Sequence, residues 1–181
     1  MRTADAAAVL LLLPLLLAAC AGAPRTGPNI AYRHRYPGLS CAPFARAELG
    51  LALSGDAADW WQEAQGRYRR SDRPEVGGVL VFRRTGRLPS GHVSVVSRLL
   101  DARRVLVIQA NWVRGELDED QLVIDVSPRN DWSAVRVWYP PTATLGARVY
   151  ATYGFILPPV TLTHDVLIGR AVPAARSVSG S

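Results

Sequence analysis

The sequence predicts an α+β fold in which N-terminal helices pack on an antiparallel β-meander. Helical spacing of apolar residues is confined to residues 41–65, and short runs rich in Val and Ile follow from residue 78 onward. Short polar connections join these runs and leave no room for crossover helices, which favours antiparallel pairing of successive strands. At 181 residues, the chain is long enough for one such domain with short appendages.

The first predicted helix begins at Cys41 and ends before Gly50. Ser40 is a suitable N-cap, Pro43 stands in the first turn, and Gly50 suits the C-terminal cap. Cys41 is therefore expected at a helix N-terminus, where the helix dipole and the free backbone N–H groups favour a thiolate. A second helix is predicted over residues 56–65, where apolar side chains recur at helical spacing.

The remainder of the domain is predicted to be β-structure. An acidic segment at residues 116–120 is expected to be a solvated loop. The tryptophans are expected mostly in the core, with Trp60 or Trp61 nearer the surface. The predicted strands cover residues 78–82, 92–97, 104–108, 122–126, 134–139 and 154–156, the last as an edge strand.

Composition narrows the class of protein. The 21 basic residues are all arginine and exceed the 15 acidic residues, so the formal charge is +6. Two cysteines are too few for a disulfide-rich scaffold. A basic surface also suits an anionic cell wall or membrane, and nucleic acid is not expected as a partner once the chain is exported.

The N-terminus has the pattern of an export signal. Arg2 precedes an apolar run over residues 6–17, which is short for a membrane-spanning helix, and small residues follow. The sequence LAAC at residues 17–20 resembles a bacterial lipobox, which implies that cleavage makes Cys20 the first residue of the mature chain and that this cysteine is acylated. An ordinary signal peptide with a chance cysteine is the alternative, and a Cys20–Cys41 disulfide would exclude the lipid.

Four segments follow from this interpretation. Residues 1–19 are the signal peptide, residues 20–31 a tether, residues 32–157 the folded domain and residues 158–181 a flexible tail. Several acyl chains on Cys20 would hold the mature protein stably on a membrane.

A nucleophilic cysteine needs a base, and the chain offers three histidines. His34 lies in the entry segment and His164 in the predicted tail. His92 opens a predicted strand directly after a Ser-Gly turn, and it is the best candidate for the base.

Hairpin arithmetic suggests what orients His92. A two-residue turn at residues 101–102 would place His92 opposite Asn111, with Gln109 diagonal to it on the same face. Either amide oxygen can accept a hydrogen bond from the imidazole and fix its tautomer. The register leaves both candidates open.

Several blocks of the sequence resemble the CHAP domain, the cysteine, histidine-dependent amidohydrolase/peptidase family. The blocks are SCAPFAR at residues 40–46, GDAADWW at 55–61, GGVLVF at 77–82, GHVSVV at 91–96, QANW at 109–112 and NDWSAVRVW at 130–138. The resemblance implies a papain-like fold over most of the mature chain.

The resemblance also implies roles for individual residues. Cys41 would be the nucleophile, His92 the general base and Asn111 the third member of the site. Many relatives carry an acidic residue or His two places before that Asn, where this chain has Gln109. No acidic calcium loop is present, so no metal and no cofactor are expected.

The sequence thus predicts a lipid-anchored cysteine hydrolase in the bacterial cell envelope, facing the periplasm, with the outer membrane favoured. The family's usual substrate is the peptide part of peptidoglycan, cut by an endopeptidase or an N-acetylmuramoyl-L-alanine amidase. The alternative is a catalytically silent CHAP-like module that binds wall peptides or a partner protein.

Overall fold

The computed structural model describes residues 33–35 and 38–159. The predicted signal peptide, the tether, Cys20, His164 and all but the first two residues of the predicted tail lie outside the described residues. The helices are α1 (Cys41–Leu49) and α2 (Trp60–Glu63). The strands are β1 (Arg33–Arg35), β2 (Arg69–Ser71), β3 (Val79–Phe82), β4 (His92–Leu99), β5 (Arg104–Ala110), β6 (Glu116–Asp125), β7 (Ala134–Tyr139), β8 (Thr144–Leu145) and β9 (Tyr150–Leu157).

The first helix is confirmed at both ends. Ser40 is extended, α1 begins at Cys41, and Gly50 adopts the left-handed conformation with φ of 62°. The Gly50 N–H donates to the carbonyl of Arg46 and closes the helix. The face carrying Ala42 and Ala45 is buried against β4 and β5, which fixes Cys41 beside the sheet.

The second helix is shorter than the sequence predicted. A 3₁₀ turn at Ala57–Asp59 precedes α2, which ends at Glu63 instead of continuing to residue 65. Trp60 is fully buried, whereas Trp61 is half-buried and stacks on Tyr153. The 3₁₀ turn leads directly into Trp60, which enters the core as the first residue of α2.

The sheet closes on itself. Strands β3 to β7 pair antiparallel in succession, as a meander does. Strand β9 pairs with both β3 and β7, so the antiparallel strands form a barrel-like sheet. The expectation that residues 154–156 form an edge strand is therefore wrong. Consecutive burial of Gly154, Phe155 and Ile156 is typical of a strand covered on both faces.

The acidic segment at residues 116–120 is not a loop. It forms the start of β6 and pairs with β1 on one side and β5 on the other. The side chains of Glu116 and Asp118 are buried. Backbone hydrogen bonds to strands on both sides hold this segment in the sheet, although its acidic side chains are of a kind usually found in contact with solvent. His34, predicted in the entry segment, lies in β1 opposite Leu117.

The β4–β5 hairpin differs from the simple prediction near its turn. Leu99 pairs with Val105, and a bulge between Val96 and Arg98 shifts the register by one residue. Beyond the bulge Val95 pairs with Ile108, which is the register that the predicted turn implied. No helix among the described residues is long and apolar enough to cross a membrane.

We predict that Gly91→Ala destabilises the fold. Gly91 precedes His92 and has φ of +71°, and an added Cβ would lie 2.6 Å from the Cβ of Ala58 and 2.7 Å from the carbonyl oxygen of Phe82. We expect the free energy of unfolding to fall by about 2–4 kcal/mol, measured by urea denaturation. Gly86→Ala is the control, because its Cβ meets nothing within 4 Å. Equal denaturation midpoints for the two variants would contradict this account.

Candidate active site

Cys41 stands at the N-terminus of α1 with its thiol against the sheet. The first hydrogen bond of the helix runs from the Phe44 N–H to the Ser40 carbonyl at 3.1 Å, so the N–H groups of Cys41 and Ala42 have no partner within the helix. These two groups and the Val93 N–H instead interact with the sulfur of Cys41. Cys41 is a free, half-buried thiol.

Burial decides the protonation of this thiol. Desolvation raises the pKa of Cys41, and it outweighs the backbone N–H groups and the Ser40 hydroxyl, which favour the thiolate. The helix N-terminus thus favours the thiolate, as the sequence predicted, but burial has the larger effect on the pKa of Cys41. Packing of the helix and the strand around the sulfur removes water from it, and this loss destabilises the thiolate more than the surrounding hydrogen-bond donors stabilise it.

His92 is the first residue of β4 and is buried, with 4% of its surface exposed. Its ring packs between Phe82 and Trp112, with centroid distances of 5.4 Å and 5.1 Å. Desolvation lowers the pKa of His92 to about 4, although a hydrogen bond with Gln109 and the charge of Asp118 both act to raise it. The imidazole is therefore neutral at neutral pH.

Gln109, and not Asn111, contacts His92. The Oε1 atom of Gln109 lies 2.9 Å from Nε2 of His92, and Nε2 of Gln109 donates to Oε1 of Gln121 on β6. A carbonyl oxygen can only accept, so Nε2 of His92 carries the proton and Nδ1 keeps its lone pair. Gln121 thereby fixes which end of the Gln109 amide faces the histidine.

Asn111 lies in the turn after β5 and stabilises it. It has a left-handed backbone with φ of 64°, and its Oδ1 accepts a hydrogen bond from the Gly115 N–H at 2.9 Å. Its side chain is exposed. The left-handed residue turns the chain at the point where the ideal hairpin would have continued to a position opposite His92.

The structure thus brings Cys41, His92 and Gln109 together at the junction of α1 with the β4–β5 hairpin. Cys41 interacts with the N–H of Val93, the residue after His92, and His92 contacts Gln109 on the neighbouring strand. Their catalytic roles stay predictions.

Two buried residues of β6 complete this region, and the sequence analysis missed both. Asp118 pairs with Gln109 across β5 and β6 and is fully buried, as is Gln121. Gln121 lies two residues before the buried Val123 and shares its face, which was a signal in the sequence. Asp118 gave no such signal, because Asp120 adopts φ of 53° and interrupts the alternation between the two halves of the strand.

No group of three or more His, Cys, Asp or Glu side chains in the described part of the chain could hold a metal ion. The polar atoms around His92 are amides and one carboxylate, which suit proton positioning.

Residues 31–111, a little under half of the chain, match the family model of the CHAP domain. This segment contains Cys41, His92, Gln109 and Asn111 and ends at the turn after β5. A search of curated proteins found no match.

We predict that Gln109→Glu raises the pKa of His92. A carboxylate in place of the amide oxygen puts a negative charge at hydrogen-bond distance from the ring and stabilises the imidazolium. The pKa of about 4 is expected to rise by at least one unit, followed by NMR titration of the His92 ring. Gln109→Leu, which has no acceptor, is the control and should leave the pKa at or below its parent value. An unchanged pKa in Gln109→Glu would mean that this side chain does not face His92.

Proposed function

We propose that this chain, whose residues 31–111 carry a CHAP domain, is a cysteine hydrolase that cleaves amide bonds in peptidoglycan peptides. CHAP domains are typically amidases or peptidases, so the family supplies the reaction class. The observation that carries the proposal is the hydrogen bond between His92 and Gln109 at 2.9 Å, at the strand end where the Cys41 thiol meets β4.

The first step follows from the protonation states. Both Cys41 and His92 are neutral in the resting site. As the sulfur attacks the scissile carbonyl carbon, the thiol proton moves to Nδ1 of His92, since Nε2 is committed to Gln109. A C–S bond forms and the carbonyl π electrons move to the oxygen. The Cys41 N–H, which no helical acceptor uses, is the proposed donor to that oxyanion.

The remaining steps return the site to its starting state. The tetrahedral intermediate expels the amine, which takes the proton from Nδ1 of His92 and leaves a thioester on Cys41. A water molecule then gives one proton to His92 and attacks the thioester carbon. Collapse releases the carboxylic acid, and the sulfur recovers its proton from His92.

The neutral resting pair affects catalysis directly. A buried imidazole with a pKa of about 4 is a weak base, so proton transfer must be coupled to bond formation. Binding of a polar peptide near His92 would raise its pKa by supplying solvation that the closed site lacks. We propose that substrate binding activates this pair.

The finer assignments rest on the leader sequence. We propose that the protein is exported, acylated on Cys20 and held at the cell envelope with its domain facing the periplasm, with the outer membrane favoured. This location would place the domain beside peptidoglycan. Whether it acts as an endopeptidase or as an N-acetylmuramoyl-L-alanine amidase depends on which bond reaches Cys41.

We predict that Cys41→Ala abolishes clearing of purified peptidoglycan in zymograms, with a loss of at least about 10³-fold in rate. The variant removes the nucleophile and only one small atom from a half-buried position. Arg98→Gln is the control, because Arg98 is exposed at the opposite end of β4. Urea denaturation checks that all proteins fold. Equal clearing by the parent and Cys41→Ala, or no clearing by either protein, would contradict the proposal of a cysteine hydrolase. The alternative of a catalytically silent, wall-binding module would then be favoured.

A second prediction concerns the anchor. Growth with labelled palmitate should label the parent protein and not Cys20→Ser, because the serine oxygen cannot replace the thioether linkage. Cys41→Ser is the control and should label like the parent. Label that persists in Cys20→Ser would exclude Cys20 as the lipid site.

A further inference from the structure

A pocket of about 400 Å³ opens at the end of the barrel-like sheet that carries His92. Three loops form it: the β3–β4 loop with Arg87, the β5–β6 turn with Trp112, and the segment before β9 with Arg148. Tyr139 and Tyr150 complete its aromatic surface. The pocket therefore has aromatic sides and two arginines within its lining.

The pocket is separated from His92 by one aromatic ring. Trp112 lines the pocket and packs on both His92 and Tyr150, with centroid distances of 5.1 Å in each case. Phe82 contacts His92, Trp112 and Tyr150 from below. A molecule in this pocket would therefore lie against the same side chains that hold the histidine.

The two pocket arginines differ from most of the others. Arginines elsewhere in the described part of the chain bind a carboxylate or a backbone carbonyl, and examples are Arg46, Arg67, Arg69, Arg73, Arg84, Arg98, Arg103, Arg104, Arg129 and Arg136. Within the described residues, Arg87 and Arg148 make no such contact. Arg114 shares this property but does not line the pocket.

The positive charges of Arg87 and Arg148 both influence the hydroxyl group of Tyr150. Burial raises the pKa of the Tyr150 hydroxyl, and the positive charges of Arg148 and Arg87 both act to lower it. Two guanidinium groups from different loops therefore lie within electrostatic range of a single phenol. Both side chains are exposed, so solvent screens their mutual repulsion. An anion placed between them would be attracted by both charges.

We propose that this pocket binds a carboxylate group of the peptide substrate. Guanidinium groups match a carboxylate in charge and in hydrogen-bond geometry, and the rings of Trp112 and Tyr150 offer apolar surface to the chain that carries it. A peptide has such a group at its C-terminus or on an acidic side chain. This inference rests on the proposed function, because the peptide would run from the pocket past Trp112 towards His92 and Cys41.

Binding to the full-length Cys41→Ala protein tests the inference without turnover. The probe is a soluble stem peptide from peptidoglycan with free carboxylates, compared with the same peptide after its carboxylates are converted to amides. In the Arg87→Gln/Arg148→Gln background we expect Kd for the free peptide to rise at least about tenfold. The amidated peptide should bind weakly and equally to both proteins.

Arg114→Gln is the control and should leave both Kd values unchanged, since it removes an arginine charge outside the pocket. If the free peptide binds with equal Kd to the Cys41→Ala protein and to the same protein carrying Arg87→Gln/Arg148→Gln, the inference is wrong. A second arm adds inorganic phosphate. If phosphate binds in the pocket more tightly than the free peptide does, the pocket is a phosphate site and the inference is wrong.

Hydrolysis of peptidoglycan by the parent protein distinguishes failure of the proposed hydrolase activity from failure of carboxylate binding by the pocket. If the parent clears peptidoglycan and the arginine variants bind both peptides as it does, the pocket inference fails and the proposed function stands. If the parent hydrolyses nothing but binding of the free peptide still depends on the two arginines, the proposed hydrolase activity is wrong and carboxylate recognition by the pocket stands.

Discussion

The hydrogen bond from His92 to Gln109 is the constraint on which the site depends. It joins the first residue of β4 to the end of β5 inside the sheet, where His92 is almost fully buried. Because Gln121 takes the other end of the Gln109 amide, the proton of the imidazole stays on Nε2. This arrangement leaves the lone pair of Nδ1 free, and in the proposed reaction that lone pair accepts the proton of the neutral Cys41 thiol.

Burial holds the side chains of the site in fixed orientations, but it also makes the charged forms of His92 and Cys41 less stable. The same packing that orients His92 lowers its pKa to about 4, and the same packing raises the pKa of Cys41. A carboxylate in place of Gln109 would oppose the first effect directly. Here the negative charge that acts to raise the pKa of His92 comes from Asp118, one strand further away on β6. Charge thus acts at longer range while the amide controls geometry, which favours a defined tautomer over a stable imidazolium.

Local sequence signals predicted α1 well because a cap, a proline and a glycine act within a few residues of one another. The position of Cys41 followed from them. Long-range pairing could not be predicted in the same way. Nothing near residues 150–157 indicates that β9 pairs with both β3 and β7, and the acidic start of β6 looked solvated because its partners lie far away in sequence. The choice between Gln109 and Asn111 depended on the left-handed backbone of Asn111, which turns the chain before it reaches a position opposite His92 and which hydrophobic periodicity does not encode.

The family match and the rest of the sheet contribute different parts of the molecule. The match ends at residue 111 and includes the thiol, the histidine and Gln109, so the chemical groups belong to the matched segment. Gln121, Trp112, Tyr150 and Arg148 lie beyond it, and they orient the amide, cover the histidine and line the pocket. Closure of the sheet by β9 brings Tyr150 and Arg148 to the end where His92 stands, whereas Gln121 and Trp112 reach it through β6 and the β5–β6 turn. The proposed reactivity therefore depends on the matched segment, and the proposed carboxylate recognition depends on how the unmatched strands complete the barrel around it.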